Sequence, residues 1–271
     1  MIEQRQVCRY GWHTFALWPT LWRESLMNRS AVVFIFLLVA LAPMVSAQSL
    51  RVVGDSWPPY VDKTLPDNGL AVAIVDAGLR KAGYEPDFTV VQWTKALAGA
   101  KAGIYDVVAA IWYSDERNET LLFSEPFLEN RVYFVKRRGS PVRFSNLNEL
   151  TAYRVGVVRD FSYGPEIDNL SALKIPSNYV VQMLLGVLSG SLDLAVVEER
   201  VALFEMNRYM SNQADDLEFV GQPVSVRGLR IAASRVYPDH AKVIADFNAA
   251  IKEMKTDGTF ERIYANYSFG Q

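Results

Sequence analysis

Short runs rich in β-branched residues alternate with helical faces twice over in this chain, and that alternation confines it to α/β architectures. Leu50-Arg51-Val52-Val53, Phe88-Thr89-Val90-Val91 and Asp106 to Ile111 read as strands. Between the first two, Gly69 to Gly83 carries apolar residues at 70, 73, 74 and 77, one face of a helix ended by glycine. Trp93 to Ala102 reads as a small-residue helix closed by Gly103, while Trp57-Pro58-Pro59-Tyr60 is a loop whose prolines stop the first strand. Arg131 to Val135 forms a further strand. A second series follows: strands Arg154 to Val158, Asp193 to Val197, Leu217 to Val220 and Leu229 to Ala233, helices Tyr179 to Leu188 and Glu198 to Tyr209, and two closing helices split at Asp257-Gly258. Two series predict two lobes, and clefts between lobes concentrate small-molecule sites.

Ahead of this series lies a targeting segment. Ala31 to Ala42 is an apolar run behind Arg29, followed by Pro43 and by Val45-Ser46-Ala47 before Gln48. The run is shorter than the ~20 residues a bilayer span needs, so it is read as a signal peptide cleaved after Ala47. Residues 1–26 precede a natural start at Met27, and Trp12, Trp18 and Trp22 carry no functional weight. Cys8 is the only cysteine, so the mature chain is expected to have no disulfide, thiol nucleophile or thiolate metal site. Removing residues 1–47 takes four arginines and two glutamates from a chain of net charge -2, leaving -4. That balance gives no reason to expect a nucleic-acid partner. No metal or cofactor is expected.

The stretch Asp106 to Phe127 carries the chemistry. The strand leads into Ser114-Asp115-Glu116-Arg117, and Phe123-Ser124-Glu125-Pro126-Phe127 closes the segment. In open α/β sheets ligands bind outside the carboxyl ends of strands. Arg117, just past such an end and beside two aromatics, is placed to receive an anion, and a planar guanidinium suits a carboxylate. A surface salt bridge is the alternative.

Several features in order resemble the bacterial extracellular solute-binding proteins of family 3, the periplasmic receptors of polar amino-acid ABC importers. They are Leu50 to Tyr60 with its Trp-Pro-Pro-Tyr loop, Trp93 to Asp106, Glu116-Arg117 with Phe123-Ser124-Glu125-Pro126-Phe127, Val155-Gly156-Val157, Gly190 with Asp193, and Asp257-Gly258-Thr259. The resemblance implies the type II periplasmic binding protein fold: two α/β lobes, each a mainly parallel sheet flanked by helices, joined by two hinge crossings. Lobe 1 would be 48–134 plus 224–271, and lobe 2 would be 136–222.

Carried over residue by residue, the resemblance gives Arg117 the ligand's α-carboxylate and makes Trp57 and Trp93 the aromatic faces around its side chain. Either tryptophan could instead be core, although the proline-rich loop argues against that for Trp57. Asp55 would contact the ligand's distal group or cap its own loop. Ser162 would help hold the carboxylate at a helix N-terminus or be a plain N-cap. Glu198 would bind the α-ammonium or be an exposed first-turn acid. Trp112 is added because Ala110-Ile111-Trp112-Tyr113 stands where the family has small hydroxyl residues. Asp160 and Phe161 stand where glycine and threonine are common, so a bulkier, more aromatic pocket is expected. The implied protein is a monomeric periplasmic receptor that closes on an amino-acid-like carboxylate, delivers it to a membrane permease and performs no chemistry. Two other readings remain open. One is an enzyme resembling periplasmic cyclohexadienyl dehydratases, with Glu198 as general acid; the other is a ligand sensor. His240 is read as structural or solvated.

Overall fold

The structure, a computed structural model, describes residues 47–267. The expected signal peptide, Cys8 and the first three tryptophans lie outside the described residues. Strand β1 (Gln48–Gly54) is followed by helix α1 (Leu70–Lys81), strand β2 (Tyr84–Val90), helix α2 (Trp93–Lys101) and strand β3 (Val107–Trp112). A single turn, α3 (Asp115–Asn118), leads through strand β4 (Leu121–Phe123) to strand β5 (Leu128–Arg137). Strand β6 (Arg154–Val158), turn α4 (Pro165–Asp168), strand β7 (Leu173–Ser177), helix α5 (Val180–Ser189), strand β8 (Leu194–Glu198) and helix α6 (Glu199–Tyr209) form the second series. Strand β9 (Leu217–Ser234) and helices α7 (His240–Thr256) and α8 (Thr259–Ala265) complete it. No helix among the described residues is long and apolar enough to cross a membrane.

The strands hydrogen-bond in the order β2-β1-β3-β9-β5-β8-β6-β7, with β4 also on β9. β1 runs parallel to β2 and β3, and β6 runs parallel to β7 and β8. β9 is antiparallel to β3, and β5 is antiparallel to β8. Each half is therefore a three-strand parallel unit finished by one antiparallel strand that crosses from the other half. All six residues of β3 are buried, as expected of a parallel strand covered on both faces.

One clasp recurs in both halves. The backbone N–H and Nε of Arg51 donate to Asp106 Oδ2 at 2.8 and 3.0 Å, while its Nη2 reaches Asp106 Oδ1 and the Gly103 carbonyl. Arg154 repeats every contact on Asp193 and Gly190, with the same 2.8 and 3.0 Å distances. The sequence behind it is an arginine in the first strand and Gly-x-x-Asp ahead of the third.

The strand boundaries correct the sequence reading in three places. β2 begins at Tyr84, ahead of Pro86, and β7 was not anticipated because Pro176 lies inside it. Both are edge strands, where a missing N–H can face away from the ladder. The strands expected at 217–220 and 229–233 are one, β9, running through Gly221-Gln222-Pro223. The register with β5 slips there: Val132 faces Ser225, whereas Phe134 faces Val220.

Candidate functional site

Four elements converge on one aromatic cluster, and a fifth, α3, carries Arg117 at its rim. The loop after β1 supplies Asp55 and Trp57. Trp57 is pinned by its N–H to the Val61 carbonyl at 2.7 Å, and its own carbonyl accepts from Tyr60 and Val61. Gly69 makes this packing possible: its φ is +102°, and a Cβ there would sit 2.7 Å from the Tyr60 oxygen. Trp93 is the first residue of α2, Trp112 ends β3, and Phe161 follows β6. The ring of Phe161 lies edge-on to all three tryptophans, at centroid distances of 5.9 Å to Trp57, 5.8 Å to Trp93 and 5.6 Å to Trp112. Edge-to-face contact of this kind matches positive ring edges to negative faces.

Arg117 stands at the rim. Ser114 caps the turn that carries it, accepting from the Arg117 N–H at 3.3 Å. The guanidinium is buried, at 4 % exposure, and lies 5.2 Å from the centroid of the Trp93 ring. Nη1 donates to the Trp112 carbonyl at 2.7 Å and Nη2 to the Asp160 carbonyl at 2.6 Å. Among the described residues no carboxylate forms a salt bridge with it. Burial brings its pKa down to about 10, with nearby acids opposing only in part. Asp55, half-buried in the same cluster, is pushed up to about 7 by burial. No cation pairs with it among the described residues. The cavity that these groups share is about 20 Å³. Outside it, a groove of about 730 Å³ runs past Arg117, Asp160, Phe161 and Ser162 to Lys101 and Lys174.

The structure thus brings together Asp55, Trp57, Trp93, Trp112, Arg117 and Ser162, but three expectations need correction. Trp57 is buried, at 6 % exposure, and belongs to the core as well as the cluster, despite its prolines. Ser162 is not at a helix N-terminus: α4 starts at Pro165, with Gly164 as its cap. The Ser162 hydroxyl and the N–H groups of Tyr163 and Gly164 all donate to Asp168, at 3.0–3.1 Å, so an internal carboxylate already takes those donors. Glu198 is neither exposed nor within the aromatic cluster. Its Oε2 accepts from the Val201 N–H as the cap of α6, its Oε1 accepts from Tyr60 Oη at 3.0 Å, and it borders a separate cleft of about 550 Å³ with Arg131 and Arg200.

Sequence reasoning did not single out Asn130, whose amide joins Trp112 Nε1 (2.8 Å) to the Tyr60 hydroxyl (2.7 Å). An asparagine inside an apolar strand was the available signal, since a buried amide needs partners. No cluster of three His, Cys, Asp or Glu placed to hold a metal ion occurs among the described residues.

The chain is similar in fold to an ancestral arginine-binding protein solved with arginine bound, with a TM-score of 0.70 and 22% identity over 83% of this chain and all of the other. The architecture is the two-lobe type II periplasmic binding protein fold. The model of the bacterial extracellular solute-binding proteins, family 3, matches residues 50–271, and the chain belongs to that family of solute-binding proteins. Among curated relatives it is 22% identical to the arginine-binding periplasmic protein of Mannheimia haemolytica, over 90% of this chain and all of that one. It is 23% identical to a probable histidine-binding protein of Neisseria gonorrhoeae, over 73% and 74% of the two chains.

Proposed function

We propose that this protein is a periplasmic receptor that captures an amino acid with a cationic side chain and delivers it to an ABC-type permease, acting as a monomer without chemistry. The observation that carries the reading is Arg117, a buried cation whose hydrogen bonds go only to carbonyls. A desolvated guanidinium without a counter-ion is a strong anion site. In this reading it holds the solute's carboxylate, the tryptophans flank the side chain, and Asp55 meets a cationic tip in surroundings that favour its pairing. The arginine- and histidine-binding relatives support a cationic amino acid.

The lobes are read as 48–134 with 224–271 and as 136–222, and the register slip of β5 against β9 beside Val132 supports a hinge there. Glu198 favours binding over an enzyme, because both of its oxygens are engaged and it lies outside the cluster that holds Arg117. Ser162 is assigned to positioning the turn through Asp168.

Calorimetric titration with L-arginine and L-histidine tests the proposal. Binding of at least one, weakened about a hundredfold or more by Arg117→Ala, is expected. An absence of binding to any of the twenty amino acids would overturn it.

A further inference from the structure

The aromatic cluster is already filled from within the chain. Phe161 and Asp160 come from the turn after β6, in the second series, whereas Trp57, Trp93, Trp112 and Arg117 come from the first. The Phe161 ring meets all three tryptophans at 5.6–5.9 Å. The carbonyl of the adjacent Asp160 accepts from Arg117 Nη2 at 2.6 Å and from Trp93 Nε1 at 3.0 Å. One dipeptide therefore puts an oxygen on the arginine and a ring between the tryptophans, the two things expected of an amino-acid solute. The remaining space, about 20 Å³, is close to that of one water molecule and too small for any side chain.

We propose that Asp160-Phe161 is a built-in ligand surrogate, and that a solute binds by displacing it. The proposal rests on the reading of Arg117 and the tryptophans as the solute site. Phe161 borders both the small cavity and the 730 Å³ groove outside it, so its ring has somewhere to go. Asp160 has a left-handed backbone, with φ +60°, a conformation Asp tolerates better than most residues. Among the described residues the surrogate also leaves Trp57 Nε1 buried with no hydrogen-bond partner, and no cation forms a salt bridge with Asp55, whose carboxylate borders the same small cavity.

That mismatch defines the specificity. A solute wins by covering the tryptophan faces as well as a benzyl group does while also pairing Asp55, which a phenyl ring cannot do. Small amino acids such as glycine and alanine leave the faces uncovered and lose. Phe161 is thus a specificity-determining residue that raises the threshold for every solute and excludes the small ones.

Trp57, Trp93 and Trp112 are the only tryptophans after residue 47, so indole fluorescence reports on this cluster. Any signal from Trp12, Trp18 and Trp22 is common to parent and variants and cancels in the comparison. Acrylamide quenching of the periplasmic protein should be steeper in Phe161→Ala than in the parent, with an unchanged far-ultraviolet circular dichroism spectrum. Tyr179→Ala, which removes an exposed ring from the second series, should leave quenching alone. L-Arginine should bind Phe161→Ala about tenfold tighter than the parent, since a competitor worth a few ring contacts is gone. Parental quenching in Phe161→Ala, or weaker L-arginine binding, would overturn the proposal. Steeper quenching with no L-arginine binding to either protein would support the surrogate and count only against the amino-acid reading.

Discussion

The Tyr60 hydroxyl donates to Glu198 Oε1 at 3.0 Å, fastening the loop after β1 to the residue that caps α6. Burial pushes this carboxyl from 4.5 up to about 7, with its hydrogen bonds and Arg200 opposing. Between those values the folded chain keeps a proton that the unfolded chain has released, so stability is lost as pH rises through that window. Glu205 and Asp55, also raised to about 7 by burial, push the same way. Urea unfolding should show falling stability from about pH 4.5 to about pH 7, and Glu198→Gln should remove about 3 kcal/mol of that fall. An unchanged slope in Glu198→Gln would assign the proton elsewhere.

Arg117 separates stability from function. Its guanidinium is desolvated, hydrogen-bonds to two carbonyls and lies over the Trp93 ring, so the relief of an uncompensated buried charge in Arg117→Met offsets two hydrogen bonds worth about 1 kcal/mol each. Arg117→Met should melt no lower than the parent in the absence of solute, while losing solute affinity. A large drop in melting temperature would show that its bonds to Trp112 and Asp160 hold the fold.

The two clasps offer an internal comparison. The Asp106 side chain is buried, at 5% exposure, whereas the Asp193 side chain is 27% exposed. The geometry is shared, so burial alone should rank the two losses. Asp106→Ala should cost about 2 kcal/mol by removing the buried acceptor of the Arg51 N–H and guanidinium, the guanidinium itself staying half-exposed to water, and Asp193→Ala about 1 kcal/mol, in denaturant titrations. Equal costs would mean that exposure does not decide here.

What the sequence made legible was whatever is written locally. The apolar run at 107–111 and the Glu-Arg step at 116–117 announce a buried strand and an arginine just past its end without tertiary knowledge. Edge position is not local, and so Pro86 and Pro176 hid the start of one strand and the whole of another. Gly221-Gln222-Pro223 read as a break because a slip in register can absorb residues that a regular ladder cannot. Phe161 stood out as unusual in its place, but its three partners lie between 49 and 104 residues away, and only folding names them. The family resemblance singles out Glu198 by its offset after Asp193, whereas its actual partners, Tyr60 and Val201, depend on how two series pack.

Trp57 and Trp93 should respond oppositely to loss of the indole nitrogen. Trp93 Nε1 donates to the Asp160 carbonyl at 3.0 Å, whereas Trp57 Nε1 is buried without a partner among the described residues. Removing a made hydrogen bond costs about 1 kcal/mol, and removing an unmade buried donor relieves a penalty of about 1–3 kcal/mol that offsets the smaller ring. Trp93→Phe should therefore lower stability, while Trp57→Phe stays within about 1 kcal/mol of the parent. If the Trp57 N–H serves the solute, Trp57→Phe should weaken binding about tenfold at that nearly unchanged stability. Calorimetric titration beside thermal melts reads both quantities. Full affinity in Trp57→Phe would leave the indole as a ring face alone and remove hydrogen bonding from its role.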